Sequence, residues 1–213
     1  MRLLIATTNP DKLREIVPML SECGVQVVTL RQLPAVAAPE ETGATFAENA
    51  RLKALAYAAH TDLITVAEDS GLEVSALDHA PGIHSARFLG GDVTYAARRR
   101  RISSNLAAPV QRPREARFVA AVAVAHGDCL LFETEACLDG EIALVPAGAN
   151  GFGYDPIFWY PPFGKTTAEC STEEKVAISH RARAFRDLAR WLRERGPVQG
   201  PAPDVLPPQS TIR

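Results

Sequence analysis

Three polar segments of this sequence hold residue types suited to chemistry on a charged substrate. Thr7-Thr8-Asn9-Pro10-Asp11-Lys12 offers hydroxyls, an amide, free backbone N–H groups at a helix start and a lysine one turn in, a set that suits phosphate. Capping of that helix by Thr8 or Asn9 is the plainer reading of the same residues. Glu68-Asp69-Ser70-Gly71 closes an apolar strand with two adjacent carboxylates, which can hold a divalent cation or take a proton from water. Glu41, in Glu40-Glu41-Thr42-Gly43, is a further candidate oxygen ligand for such a cation, and an ordinary solvated turn is the alternative reading of Glu68-Asp69. Lys53 shares a helix face with Asn49, four residues earlier, and taken alone is a surface lysine.

The third segment, Gly151-Phe152-Gly153-Tyr154-Asp155-Pro156, sets two aromatics and one acid between glycines. A base can stack on Phe152 or Tyr154, and a hydrophobic plug is the competing reading. Lys175, His180 and Arg181 add cations and donors downstream. In one unbroken helix His180 and Arg181 would sit about 140° and 240° round from Lys175. All three serve one site only if the chain breaks near Ser179, which would then cap a new helix starting at His180.

Two other features invite a function and do not support it. Gly164-Lys165-Thr166 copies the end of a P-loop, but the first glycine of that motif falls on Trp159. Arg98-Arg99-Arg100-Arg101, with Arg112, Arg114 and Arg117, is the one dense basic run. It lacks interleaved aromatics and the chain's net charge is -2, so it reads as a solvated helix and not as a nucleic-acid surface.

The elements that must position these groups follow from local pattern. Residues 3–6 read as a buried strand, and Leu13, Ile16, Val17 and Leu20 follow with helical spacing. Residues 25–29 make a second strand. Thr45 and Glu48 form a capping box for a helix over 46–59. Residues 63–67 are a strand that stops at a polar turn, 68–71, before resuming at 72–74. Residues 118–125 read as a strand buried on both faces, turning at His126-Gly127-Asp128 into a partner over 129–136. Ser171 and Glu174 make a second capping box, and Phe185, Leu188, Ala189 and Leu192 stripe the last helix, which ends near Gly196. The class is α/β with a mixed sheet.

A length of 213 residues, with 46% hydrophobic and 23% charged, fits one domain over 1–196 with a real core. Five of the 16 prolines fall in the last 18 residues, so 197–213 reads as a disordered tail. No apolar run approaches the roughly 18 residues of a membrane span, and the N-terminal one is too short for a signal peptide, so a cytoplasmic location is expected. Cys23, Cys129, Cys137 and Cys170 form no C-x-x-C and read as reduced thiols.

In order, these segments resemble the inosine triphosphate pyrophosphatase family, house-cleaning enzymes that hydrolyse non-standard purine nucleoside triphosphates. The match runs through Leu4-Ile5-Ala6-Thr7-Thr8-Asn9 with Lys12, Glu40-Glu41-Thr42-Gly43 with Thr45-Phe46 and Glu48-Asn49-Ala50, and Leu52-Lys53-Ala54. It continues through Asp69-Ser70-Gly71-Leu72, Pro81-Gly82-Ile83 with Ser85-Ala86-Arg87, the Gly151 to Pro156 segment, and Glu174-Lys175 with Ser179-His180-Arg181. The resemblance implies an elongated mixed sheet flanked by helices, two lobes about a central cleft, a homodimer, and magnesium-dependent release of pyrophosphate from ITP, dITP or XTP. By the family's motif, Thr7, Thr8, Asn9, Pro10, Asp11 and Lys12 hold phosphate, and Lys53 and Lys175 help neutralise it. Asp69 ligates magnesium and accepts the proton of the attacking water; Glu41 and Glu68, from their acid side chains alone, are candidates to share the ion. Ser70 contacts substrate, and Phe152, Gly153, Tyr154 and Asp155 with His180 and Arg181 form the base pocket. Many bacterial members carry two aspartates where this chain has Glu68-Asp69. The alternatives are a pyrophosphatase of methylated pyrimidine triphosphates, as in the related septum-formation-inhibitor family, and a sensor that binds a triphosphate without cutting it. Neither a nucleic acid nor a membrane is expected as partner.

Overall fold

The computed structural model describes residues 1–107 and 113–195; Arg112 and the proline-rich 197–213 segment lie outside the described residues. The chain enters as β1 (Arg2–Ile5), turns at Asn9, and forms α1 (Pro10–Ser21). Asn9 Oδ1 accepts the N–H groups of Asp11 and Lys12, and Pro10 sits at the first helical position, where a missing N–H costs nothing. β2 (Gln26–Thr29) follows, then α2 (Phe46–Ala58), whose capping box pairs Thr45 with Glu48 as the sequence predicts. β3 (Ile64–Val74), α3 (Tyr95–Leu106) and the long hairpin β4 (Glu115–His126) and β5 (Cys129–Ile142) come next. The described chain closes with β6 (Phe158–Tyr160), β7 (Lys165–Thr166), α4 (Thr172–Ile178) and α5 (His180–Arg195).

The seven strands form one mixed sheet in the order β2-β1-β3-β4-β5-β6-β7. β1 runs parallel to both neighbours, and every pairing from β3 onward is antiparallel. One expectation needs correcting. Residues 68–71 are no turn: β3 continues through them, with Glu68 opposite Val122, Asp69 opposite Ala121 and Gly71 opposite Val119. The apolar ladder of β4 supplies backbone partners for the whole stretch, so the polar side chains mark a strand that lines a cleft and not a chain reversal.

Three clusters of buried residues hold the sheet. On one face Leu3, Ile5, Val66, Val122 and Val124 pack against Ile16 and Leu20 of α1 and Phe185 and Leu188 of α5. Leu20, Phe185 and Leu188 are at most 1% exposed, each worth roughly 2 kcal/mol by removal from water. The other face presents Ala67, Ala121, Ala123 and Ala125 to Ala50, Ala54 and Ala58 of α2. Small residues on both sides let that helix approach closely. A third cluster, with Leu72, Phe118, Leu138, Phe158 and Tyr154 against Ile102, Leu106 and Ile178, sits toward the α3 and α4 end. The functional cleft opens where β3 passes from the first two clusters to the third.

Candidate active site

A cleft of about 290 Å³ gathers residues distant in sequence. Thr7, Thr8, Asn9, Lys12, Glu41, Lys53, Glu68, Asp69, Ser70, Phe152, Gly153, Tyr154, Asp155, Lys175, His180 and Arg181 all line it. Pro10 and Asp11 do not. Pro10 starts α1, and Asp11 turns away to Arg14 at 2.9 Å.

On the α2 side of β3, Lys53 Nζ stands 2.7 Å from Asp69 Oδ1 and 2.8 Å from Glu41 Oε1. Arg87 holds the other Glu41 oxygen at 2.7 Å. Asp69 Oδ2 is buried and has no hydrogen-bond partner. Burial raises the Asp69 carboxyl above its ordinary pKa, more than Lys53 pulls it down. For Lys53 the opposite holds: burial disfavours the ammonium, but Asp69 and Glu41 together hold its pKa above the usual value. Burial also works against the Glu41 carboxylate, yet Lys53 and Arg87 keep its pKa low.

A lone buried carboxylate oxygen beside a second carboxylate fits a hard cation. Among the described residues no cluster of three His, Cys, Asp or Glu donors forms. Two carboxylates suit magnesium, which keeps several waters and takes phosphate oxygens instead of a full protein cage.

The α1 and α5 side of β3 carries a different network. Arg181 Nε donates to both Glu68 oxygens at 3.0 and 3.2 Å, and Lys12 approaches Glu68 at 3.7 Å. Nη2 of Arg181 reaches Ser70 Oγ at 3.0 Å and Nη1 reaches Glu15 at 2.5 Å. The other Glu15 oxygen accepts from Lys175 at 2.8 Å, and Lys175 also donates to Asp155 at 2.6 Å. Burial disfavours the Glu68 carboxylate, but Arg181 and Lys12 outweigh it and hold its pKa down to about 2. Burial wins at Lys12, whose pKa is lowered. The expectation that Glu68 joins Asp69 at one cation does not match this placement, because consecutive residues of a paired strand face opposite sides.

In the 151–156 segment Gly151 and Gly153 both take left-handed backbone, with φ of +73° and +61°. Phe152 N–H donates to Asp155 Oδ2 at 2.7 Å, while Thr167 donates to Asp155 Oδ1 at 2.8 Å. The Phe152 ring lies 5.4 Å from both Lys175 Nζ and Arg181 Cζ. Tyr154 touches the cleft but is 4% exposed, its hydroxyl donating to the Ser85 carbonyl at 2.8 Å. Of the two aromatics in this segment, Phe152 is the less buried.

Ser179 breaks the helix as its position requires. Its ψ of 147° is extended, it ends α4, and its hydroxyl caps α5 by accepting the N–H of Ala182 at 3.1 Å. The break brings His180 and Arg181 to the cleft together with Lys175. His180 stacks on Phe118 at 4.8 Å, and burial holds its pKa well below the ordinary value, so the ring is neutral.

Sequence reasoning missed Glu15, Arg87 and two roles in the arginine run. Glu15 follows Lys12 by three residues on α1 and so shares its face, a signal that was available. Arg98, read as solvated, is 3% exposed and donates to the carbonyls of Phe88 and Gly90 at 2.9 Å each. Arg99 reaches Gly153, Arg114 the Ile142 carbonyl and Arg117 the Glu73 carboxylate.

Fold and site together define an α/β protein with an acid and lysine centre on one face of a central strand and an aromatic, arginine-lined pocket beside it. The chain belongs to the Ham1 family, whose model matches residues 3–191. It is 43% identical over 188 residues to a dITP/XTP pyrophosphatase of Exiguobacterium sp., covering 88% of this chain and 95% of that protein. It is 44% identical over 186 residues to the Geobacillus kaustophilus dITP/XTP pyrophosphatase, covering 87% and 91%. Among solved structures, the Staphylococcus aureus Ham1 protein superposes with a TM-score of 0.82 at 36% identity, covering 92% of this chain and all of that one.

Proposed function

We propose that this protein hydrolyses the α-β phosphoanhydride of ITP, dITP and XTP, releasing pyrophosphate and the nucleoside monophosphate. The observation that carries this reading is Asp69, a buried carboxylate with one oxygen fixed by Lys53 and the other unpartnered at the cleft. Relatives that share over 40% of their residues with this chain are named dITP/XTP pyrophosphatases, which supports the substrate class.

Asp69 and Glu41 would hold magnesium, which when bound neutralises phosphate charge and makes coordinated water more acidic. The protein's own groups do the rest. Lys12, Lys53 and Lys175, with the N-terminus of α1, offset the charge of the triphosphate. Asp69, with its second oxygen free at the cleft, would accept a proton from the attacking water. Ser70, fixed by Arg181 at 3.0 Å, faces the same cleft and would contact substrate.

Base choice falls to the other end. Phe152 offers a stacking face. Of the five N–H donors of Arg181, one on each terminal nitrogen is left beyond the bonds to Glu68, Glu15 and Ser70. With His180 these can meet a 6-keto oxygen. A 6-amino group would strand them, at a discrimination of roughly 10⁴ for a site built on such pairing.

A binding sensor without turnover is disfavoured by the intact Asp69, Glu41 and Lys53 centre. The pyrimidine reading is disfavoured by the names of the relatives. A homodimer working in the cytoplasm completes the proposal, with the family resemblance as its support. Chromatographic assay of ITP, dITP, XTP, ATP and dTTP with magnesium tests it: the first three are consumed and the last two are spared. Equal turnover of ATP contradicts the assignment of the base pocket.

A further inference from the structure

The arginine run on α3 takes no part in the chemistry described so far, yet one of its members reaches the base pocket. Tyr95 and Arg99 lie one turn apart on the same face of α3. Arg99 Nη1 donates to the carbonyl of Gly153 at 2.6 Å, a contact across 54 positions of sequence. The Tyr95 ring stands edge-on to Tyr154 at 5.4 Å, and a Cβ on Gly153 would lie 3.5 Å from that ring. Arg98 sits over Tyr95 at 4.9 Å and ties α3 to the carbonyls of Phe88 and Gly90, so the face that meets the loop is itself anchored.

The loop needs such an anchor. Phe152 lies between two glycines in left-handed backbone, the residues that lose most conformational freedom when ordered. On one side its N–H is held by Asp155 at 2.7 Å. On the other side, the next peptide carbonyl is held by Arg99. A guanidinium bonded to a carbonyl is charge-assisted and stronger than a neutral contact.

We infer that Arg99 is a positioning residue for purine recognition: it fixes Gly153 and through it the Phe152 ring on which the base stacks. This rests on reading the Phe152 to Asp155 segment as the base pocket. The phosphate end, on the far side of β3 at Lys53 and Asp69, does not depend on Arg99. Losing the clamp therefore weakens substrate capture and base choice while the bond-breaking step keeps its rate.

The test compares Arg99→Ala, Arg99→Lys and Phe152→Ala, with ITP and ATP as substrates and thermal melting as a check on folding. Arg99→Ala should raise KM for ITP about tenfold, in the range set by loss of a hydrogen bond to a charged group, with kcat within about twofold. The preference for ITP over ATP should narrow, Tm should stay close to the parent's, and Arg99→Lys should restore most of the loss. Should Arg99→Ala not fold, Arg99→Met, which keeps the apolar stem, gives the same readout. An unchanged KM in Arg99→Ala beside a raised KM in Phe152→Ala would overturn the positioning role and leave the base pocket standing. An unchanged KM in both overturns the pocket reading and this inference with it. A fall in kcat for both substrates that tracks a fall in Tm makes Arg99 a purely structural tie and also overturns the inference.

Discussion

Glu68 and Asp69 are neighbours in sequence yet serve opposite faces of β3: Glu68 meets Arg181 at 3.0 Å, and Asp69 meets Lys53 at 2.7 Å. The period of two in a strand sends one acid to each side. One short stretch of strand thereby fixes the group proposed for proton transfer and the arginine proposed for base choice, so the two ends of a bound nucleotide are held in one frame.

Asp69→Asn keeps the shape of the side chain and removes its basicity. A drop in kcat of about 10²–10⁴ is expected, the usual contribution of a positioned general base, with KM for ITP changed only a few-fold. Steady-state kinetics with magnesium in excess checks this, and most of the parent's activity surviving the substitution would remove Asp69 from that role.

Glu68 should contribute to stability in a defined pH window. Its pKa is about 2 in the fold against an ordinary 4.5, so the folded state prefers the ionised form. That contribution is complete above about pH 4.5 and fades as pH falls toward 2, with a size of about 3 kcal/mol. Glu68→Gln leaves Arg181 and Lys12 short of a buried counter-charge and should cost about 3 kcal/mol at neutral pH. Urea unfolding of parent and variant at neutral and at low pH should show the gap closing on acidification.

His180 should stay neutral throughout the working range. Burial disfavours its imidazolium, and the Arg181 charge beside it adds to that. Nitrogen NMR of the ring is expected to show it protonating only at lower pH than an unperturbed histidine. A pKa near 6.5 for His180 would contradict this account of the pocket.

Gly71→Ala should disrupt the strand beside the site. An added Cβ would lie 2.7 Å from the Gly82 carbonyl and would also run into Ser85 Oγ, which accepts the Leu72 N–H at 2.9 Å. Backbone cannot yield cheaply there, so a loss of about 1–3 kcal/mol or more is expected, read as a lower Tm.

Local rules made much of this molecule legible. Asn9 before Pro10, the Thr45 and Glu48 box, the Ser171 and Glu174 box, and the turn at Gly127 each act within a few residues, and the structure follows them. The break at Ser179 was legible because three useful side chains could not otherwise share a site. The path of β3 through Glu68 and Asp69 was not, because its pairing partner β4 lies about 50 residues on and the polar pattern alone imitates a turn. Arg87 and Arg99 were missed for the same reason: their partners lie 46 and 54 positions away, and no local pattern encodes such contacts.

The most direct test of the central claim is phosphorus NMR of the products formed from ITP and magnesium. Pyrophosphate and IMP in equal amounts, abolished by Asp69→Asn, is the predicted result. Orthophosphate with IDP, or tight binding of ITP without any product, would contradict it.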